Sequence, residues 1–236
     1  MKIDISKAFN TLDWEFLLKV LQQFGFDKKF CLWIKNILNF AYLSVSINGA
    51  QKGYFQCKRG VRQGDLLSPL LFCIAEDVLS RGISKLVEEG KLDLIKASSQ
   101  HNIPSHVLYA DDIILFCKGK ISCIKNLQKL FTDYALCLGQ IINAHKSTLY
   151  SDSIPQARIN SFIHLLGFQQ GSFPFNYLGS PIFKGKPKAQ YFLPLADKIK
   201  SKLASWKASL LPTAGRVQMV KAIIQGMLIH TITIYN

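Results

Sequence analysis

Two aspartates stand side by side in the run HVLYADDIILF, residues 106–116. Asp111 and Asp112 interrupt an otherwise apolar stretch. Adjacent like charges repel, and a buried carboxylate is costly unless something compensates it. Two divalent ions about 3.5–4 Å apart would do so, and such a pair stabilises both the attacking and the leaving oxygen of phosphoryl transfer. Mg²⁺ suits this chemistry, because it takes few protein carboxylates and shares the rest of its shell with substrate phosphates. Mn²⁺ is the natural substitute. A two-metal site needs a further carboxylate from elsewhere in the chain. Asp4 is the candidate, in a short apolar run, KIDIS, that could lie as a strand beside the 107–115 hairpin. Taken alone, an Asp-Asp pair is more often a solvated turn, so the surroundings decide.

Those carboxylates need elements to position them. Residues 2–5 read as a short buried strand. Residues 12–24 put Phe16, Leu17, Val20, Leu21 and Phe24 on one helical face, closed by Gly25. Residues 28–39 repeat the pattern with Phe30, Ile34, Ile37 and Leu38. YLSVSIN alternates, and Asn48-Gly49 signals a hairpin whose return strand lies near GYFQC. Ser68-Pro69 reads as an N-cap followed by proline at the first helical position. That helix runs to about Glu89, with Leu71, Ile74, Val78, Ile83 and Leu86 on one face. HVLYADDIILFC is a strand, a turn and a strand, since Asp tolerates turn geometry. A helix over 121–138 ends at Gly139, residues 140–150 suggest a small hairpin, and 155–167 is helical. FNYLGSPIF gives a short strand with a turn. From about 190 the pattern is helical to Ile234, broken at Pro212 and Gly215. The sum is an α+β fold of short, partly antiparallel strands with helices on one face. A boundary near GKPK separates residues 1–184 from a helical appendage, 185–236.

Composition bounds the function. Of 236 residues, 49% are hydrophobic, ample for a folded core and unlike a disordered chain. Lysine and arginine number 29 against 15 acids, a net charge of +14. That excess favours a polyanionic partner, nucleic acid before membrane. The lysines are dispersed, so a basic groove explains the charge better than a basic tail. Six cysteines occur without a CxxC pair, several of them in apolar runs. They read as reduced core thiols with no disulfide partner, which suits an intracellular compartment. No apolar run is long enough to cross a membrane as a helix.

Five motifs occur in a telling order: IDISKAFNTLDWEFL, RGVRQGDLLSPLLF, YADDIILF, INAHKS and YLGSPI. In this order they resemble the reverse transcriptases of plant non-LTR (LINE-type) retrotransposons. The tail from LASWKASLLPTAGRVQ onward resembles the helical region that follows in the same family. The resemblance covers nearly the whole chain. It implies a polymerase-type palm over 1–184 and a thumb-like region over 185–236. It also implies an RNA template, a DNA primer and deoxynucleoside triphosphates as partners, and nuclear work if the chain acts as the family does.

Site residues follow by position. Asp4 resembles the first palm aspartate, a ligand to both metals. Asp111 resembles the second and Asp112 the third, which is closer to a supporting role. Phe9 matches the aromatic that lies under the incoming sugar, where a rigid ring leaves no room for a 2′-oxygen. Arg62, Gln63 and Gly64 resemble the segment that meets the incoming nucleotide and template. Glycine there permits close backbone approach, and the Gln63 amide both donates and accepts. Lys146 resembles the lysine that protonates departing pyrophosphate. Tyr177, Leu178 and Gly179 resemble the primer-grip hairpin. Lys198, Lys200, Lys202, Lys207, Arg216 and Lys221 could follow a phosphate backbone.

Two departures are informative. The family usually carries Asp where Asn10 stands. Its fingers region, which clamps the triphosphate, precedes the first aspartate, whereas only Met1, Lys2 and Ile3 precede Asp4 here. The expectation is a palm and thumb without fingers, polymerising poorly alone. Two alternatives stand beside it: a non-catalytic nucleic-acid-binding remnant, and an intron-maturase-type reverse transcriptase. The YLGSPI segment and the AGR-containing tail favour the retrotransposon type over the latter.

Overall fold

The computed structural model describes residues 1–95, 103–205 and 212–235. Lys207 lies outside the described residues. By compactness the chain divides between Gln170 and Gly171, upstream of the 184/185 boundary expected from sequence.

The first unit runs β1 (Lys2–Asp4), α1 (Ala8–Thr11), α2 (Trp14–Gln23), α3 (Lys28–Asn39), β2 (Tyr42–Ile47), β3 (Ala50–Gln56), α4 (Ser68–Glu88), β4 (His106–Tyr109), β5 (Asp112–Leu115), α5 (Ile121–Leu138), β6 (Thr148–Leu149), α6 (Gln156–Leu166) and β7 (Gln169–Gln170). Five of these strands form one sheet in the order β4-β5-β1-β6-β7. Its pairings are antiparallel except β6 with β7. The helix–sheet mixture agrees with the expected α+β class. β1 alternates as a strand with one covered face should, whereas β5 is buried at Ile113, Ile114 and Leu115 alike. Ile3, Ile5, Ile113 and Leu115 are buried among Phe72, Leu79, Leu127 and Phe131 of α4 and α5. The opposite face of the pair carries Lys2, Asp4 and Asp112, all half-buried.

Helix ends follow local chemistry. Asp13 and Asp27 cap α2 and α3 by accepting from the backbone of Phe16 and Lys29. Gly139 and Gly167 close α5 and α6 at φ near 70°. The start of α4 differs from expectation: Ser68 is its first residue and Leu67 its N-cap, without a side-chain cap. In α3, Cys31 takes an inward position, and Ile37 is left 51% exposed. Cys73 and Cys137 are likewise exposed rather than core thiols. They sit on the outer sides of α4 and α5, where the apolar run around them is wider than the buried stripe.

Residues 140–150 do not form their own hairpin. Ile142 bridges Ile5, and Thr148 pairs with Lys2. Both ends of the segment therefore pair with β1, and the residues between form a turn. Local alternation cannot say which partner a strand takes, and β1 offered a free edge.

The second unit holds β8 (Phe175–Tyr177), β9 (Ser180–Ile182), a 3₁₀ turn (Ala189–Phe192), α7 (Leu193–Ser205), α8 (Thr213–Met219), a π-helical turn (Val220–Ile224) and α9 (Gln225–Tyr235). Gly215 lies inside α8 rather than breaking it. The hairpin and the helices pack on each other: Phe183 stacks on Tyr191 and Tyr235, and Tyr235 donates its hydroxyl to Pro181 O. This packing is why the compact boundary falls before the hairpin.

α4 brings an unexpected residue inward. Its buried face runs through Phe72, Ala75, Glu76, Leu79 and Ile83. Glu76 is only 4% exposed, and its Oε1 has no hydrogen-bond partner among the described residues. Burial, with Asp111 adding to it, pushes its carboxyl up to about 8. The folded chain therefore keeps a proton there that the unfolded chain releases near 4.5. Stability falls as pH rises through that window and levels off above it. Glu76→Gln should flatten the curve between pH 5 and 8 and be more stable than wild type at pH 9, by on the order of a few kcal/mol. Denaturant unfolding across that range checks this. Parallel curves for the two proteins would mean that Glu76 is ionised and compensated.

Ser147 is fully buried, and its Oγ accepts from Asp4 N at 3.1 Å. Ser147→Ala would leave that amide unsatisfied beside the strand. The expected loss is about 1–3 kcal/mol, read as a lowered thermal midpoint. An unchanged midpoint would remove Ser147 from the anchoring of β1.

Candidate active site

The sheet brings Asp4 and the Asp111-Asp112 pair together from opposite halves of the first unit. Asp4 lies directly opposite Asp112 in the antiparallel register of β1 and β5. Ile5 N donates to Asp111 O at 3.3 Å. Asp111 is in the two-residue turn that joins Tyr109 to Asp112, which pair across the hairpin. Ala110, the other turn residue, has φ 51°, a conformation usually left to glycine.

On its other side, Asp4 is held by the INAHKS turn. Asn143 N donates to Asp4 O at 2.8 Å, and Ser147 N donates to Asn143 O at 2.9 Å. Together with the Ser147 hydroxyl, this turn satisfies the backbone of Asp4 where a regular strand partner would otherwise stand. It also carries Lys146 to the site. Burial pushes the Asp4 carboxyl above its ordinary value. Lys146 and Lys2 pull it down, while Asp111 and Asp112 push it up. Those couplings place all four charges within electrostatic reach of Asp4.

The three aspartates are not equivalent. Lys2 Nζ stands 3.3 Å from Asp112 Oδ1. Asp112 thus has a cation of its own, supplied by the diagonal position on β1. Asp4 and Asp111 offer hard oxygen donors, the chemistry that Mg²⁺ takes. Among the described residues, no group of three or more His, Cys, Asp or Glu side chains is assembled to hold a metal ion. The donor set fits a divalent cation in kind but is not gathered as a closed cage.

Phe9 lies on α1, which follows β1 in the chain. It stacks on Phe72 of α4, with ring centroids 4.4 Å apart and planes at 19°. Its ring is half-buried, so it is both a core contact and an accessible surface. Gln140 Nε2 donates to Ala8 O at 2.9 Å, and Tyr134 donates to Gln140 Oε1 at 2.7 Å. This buried pair fixes the turn that presents Phe9.

The RGVRQG segment docks on the same turn. Val61 N donates to Phe9 O and Gly60 N to Leu12 O, both at 2.7 Å. Trp14 Nε1 donates to Gly60 O at 2.7 Å. Close backbone approach is therefore required at Gly60, not at Gly64. A Cβ on Gly60 would meet Asn10 O at 2.6 Å, whereas one on Gly64 would meet nothing within 4 Å. Gly64 is instead needed for its φ of 94°. Sequence reading missed Gly60, although the tight GV step after Arg59 marks it. It also missed Glu76, which faces Asp111 from α4. Arg62, Gln63 and Gly64 are exposed, and Arg62 joins Asn10 in lining a cavity of about 380 Å³ against α3.

Tyr177, Leu178 and Gly179 lie in the second unit. Tyr177 pairs with Ser180. Leu178 and Gly179 form the turn at φ 49° and 84°, the handedness that suits a two-residue hairpin. Lys198, Lys200 and Lys202 are exposed on α7, Arg216 on α8 and Lys221 just beyond it. Lys200 is within 3.8 Å of Asp197.

The reverse transcriptase (RNA-dependent DNA polymerase) family matches residues 1–182. The Pol polyprotein of the type-2 retrotransposable element R2DM of Drosophila melanogaster is 30% identical over 144 residues, 61% of this chain and 13% of that protein. A 149 kDa protein of transposon TX1 from Xenopus laevis is 25% identical over 242 residues, 97% of this chain and 17% of its own. A mitochondrial protein of Arabidopsis thaliana is 44% identical over 71 residues, 30% of this chain and 58% of that protein. The chain thus spans a small part of the retrotransposon relatives it matches. Those relatives come from animals, so the likeness is not confined to plant elements. Matched over residues 1–182, the chain belongs to the reverse transcriptase family.

Proposed function

We propose that this chain carries the polymerising centre of a retrotransposon reverse transcriptase, adding deoxynucleotides to a primer 3′ end on an RNA template. The observation that supports this most is Asp4 held opposite the aspartate-bearing hairpin in a chain of this family. Asp4 and Asp111 are the proposed ligands of Mg²⁺ or Mn²⁺, with Asp112 in support because Lys2 already engages it. Two such ions, when bound, supply charge for the attacking hydroxyl and the leaving pyrophosphate.

The protein's own residues do the rest. Lys146, coupled to Asp4, holds a proton where pyrophosphate would leave. Phe9, braced by Phe72, fills the volume beside C2′ of the incoming sugar. Arg62 and Gln63 are exposed polar side chains on a segment tied to Phe9 and would meet phosphate and base, with Gly64 turning the chain between them and Asp65. Tyr177, Leu178 and Gly179 would hold the primer end, and the lysines of α7 would follow its backbone. In this reading residues 1–184 act as palm and 185–236 as thumb. The Arabidopsis relative supports a plant-type lineage. One observation favours a second reading, a nucleic-acid-binding remnant without catalysis: no closed metal cage stands among the described residues.

Primer extension on an RNA template separates the two. The chain is assayed with an annealed primer, deoxynucleotides and Mg²⁺ or Mn²⁺. Extension is expected, and Asp111→Ala should abolish it. Lys146→Ala should slow it by about 10²- to 10⁴-fold, the usual contribution of a positioned acid. Phe9→Ala should raise incorporation of ribonucleotides relative to deoxynucleotides. Extension that survives Asp111→Ala would sink the site assignment. Absence of Mn²⁺ binding to the wild-type chain by calorimetry would favour the remnant.

A further inference from the structure

One surface of the first unit is not absorbed by this centre. It begins on the outer side of α3. Lys29, Trp33, Ile37 and Phe40 recur at spacings of four, four and three, which places them along one helical stripe. Trp33 is 55% exposed and Phe40 76%. Lys29 Nζ lies 5.6 Å from the Trp33 ring centre. The stripe leads directly into the β2–β3 hairpin. Gln56 Nε2 donates to Asn39 O, and Cys57 N donates to Ala41 O at 3.3 Å, so the hairpin base is fixed to the end of α3. On the hairpin, Tyr42 and Tyr54 stack face to face, with centroids 4.7 Å apart and planes at 7°. Tyr54 is 77% exposed, so this stack has an open end.

Charge says what would cover these rings. Between Asp27 and Asp65 the chain has seven cations, Lys28, Lys29, Lys35, Lys52, Lys58, Arg59 and Arg62, and not one acid. Exposed rings on a segment this rich in cations are the arrangement that binds single-stranded nucleic acid, although Lys35 and Lys58 share a cavity with Asp13 and Glu15. The cations follow the backbone, and each base has a face that stacks on a ring. A duplex offers phosphates but keeps its base faces covered, so it would use only the charge. The hairpin also exposes the aliphatic Val45 and Ile47, which stacking does not use.

We infer that the exposed rings of α3 and the β2–β3 hairpin form a stacking platform for single-stranded nucleic acid. This rests on the polymerase reading in naming the strand as template, but it requires neither metal nor triphosphate. Binding and extension therefore fail independently. The test is fluorescence anisotropy of a labelled 20-nucleotide oligoadenylate RNA with the full chain, without divalent ions. Trp33→Ala and Tyr54→Ala should each weaken binding by on the order of tenfold. Trp33→Phe and Tyr54→Phe should restore most of it, and Lys29→Gln should lower the salt slope by about one. Asp111→Ala should bind like wild type. An RNA duplex of equal length should compete less well than the single strand, and the DNA version of the oligonucleotide should compete comparably. Equal competition by duplex, or alanine variants that bind as wild type does, would overturn the platform. So would a concentration-dependent dimer lost on Trp33→Ala, because the face would then be a protein interface. Circular dichroism of each variant checks folding, and all the substituted side chains are exposed.

Discussion

An antiparallel strand pair sets Asp4 directly against Asp112, and the structure around them answers that one placement. Like charges opposite each other in a sheet are destabilising. The sheet tolerates them because their backbones are over-determined. Ile3, Ile5, Ile113 and Leu115 anchor the reverse face in the core. The Asn143–Ser147 turn takes the backbone groups of Asp4 on the side away from β5. Lys2 neutralises Asp112, and Lys146 faces Asp4. The asymmetry matters. The acid with its own ion pair is the one least able to give its oxygens to a bound cation. Asp4, crowded and partly desolvated, has the most to gain from one.

Strained positions recur in several of the predicted site segments, as well as at Asn48 and Ser153. Lys7, between Asp4 and Phe9, has φ 49°, Ala110 beside Asp111 has 51°, and Leu178 in the second hairpin has 49°. None is glycine, and each conformation costs free energy that the surrounding packing must hold in place. Two of these turns are braced by hydrogen bonds that cross the sheet or reach it from elsewhere: Ile5 N to Asp111 O, and Gln140 to Ala8 O. The Asp111 and Phe9 turns are thus braced by backbone and buried side-chain hydrogen bonds from neighbouring segments.

Local signals were read correctly where one residue decides them. Gly25 follows the end of α2 at φ 86°, Gly139 ends α5, and Asn48-Gly49 turns the β2–β3 hairpin. What eluded the sequence depends on partners distant along the chain. The 140–150 segment alternates as a hairpin would, but its ends pair with β1. Gly64 and Gly60 are indistinguishable until Asn10 is seen against Gly60. Gly215 is tolerated because it falls within α8, where helical pairing continues past it. A glutamate within a helical run reads as solvent-facing, and only the packing of α4 turns Glu76 inward. Of the candidate site, Asp4, Asp111, Asp112, Lys146 and Phe9 come together within one unit. The Tyr177–Gly179 hairpin belongs to the other.

Glu76 connects the core to the centre. It shares its helical face with Phe72, the residue that braces Phe9. Burial and Asp111 both favour its neutral form. A second anion behind Asp111 would add to the repulsion that already acts between the three aspartates. A neutral carboxyl avoids that, while keeping a polar group within electrostatic reach of Tyr134. Burial pushes the Tyr134 phenol up as well, so neither group adds charge. The layer beneath the aspartates is therefore polar but uncharged. Such a layer holds a charged site in position without competing for the cations that the site attracts.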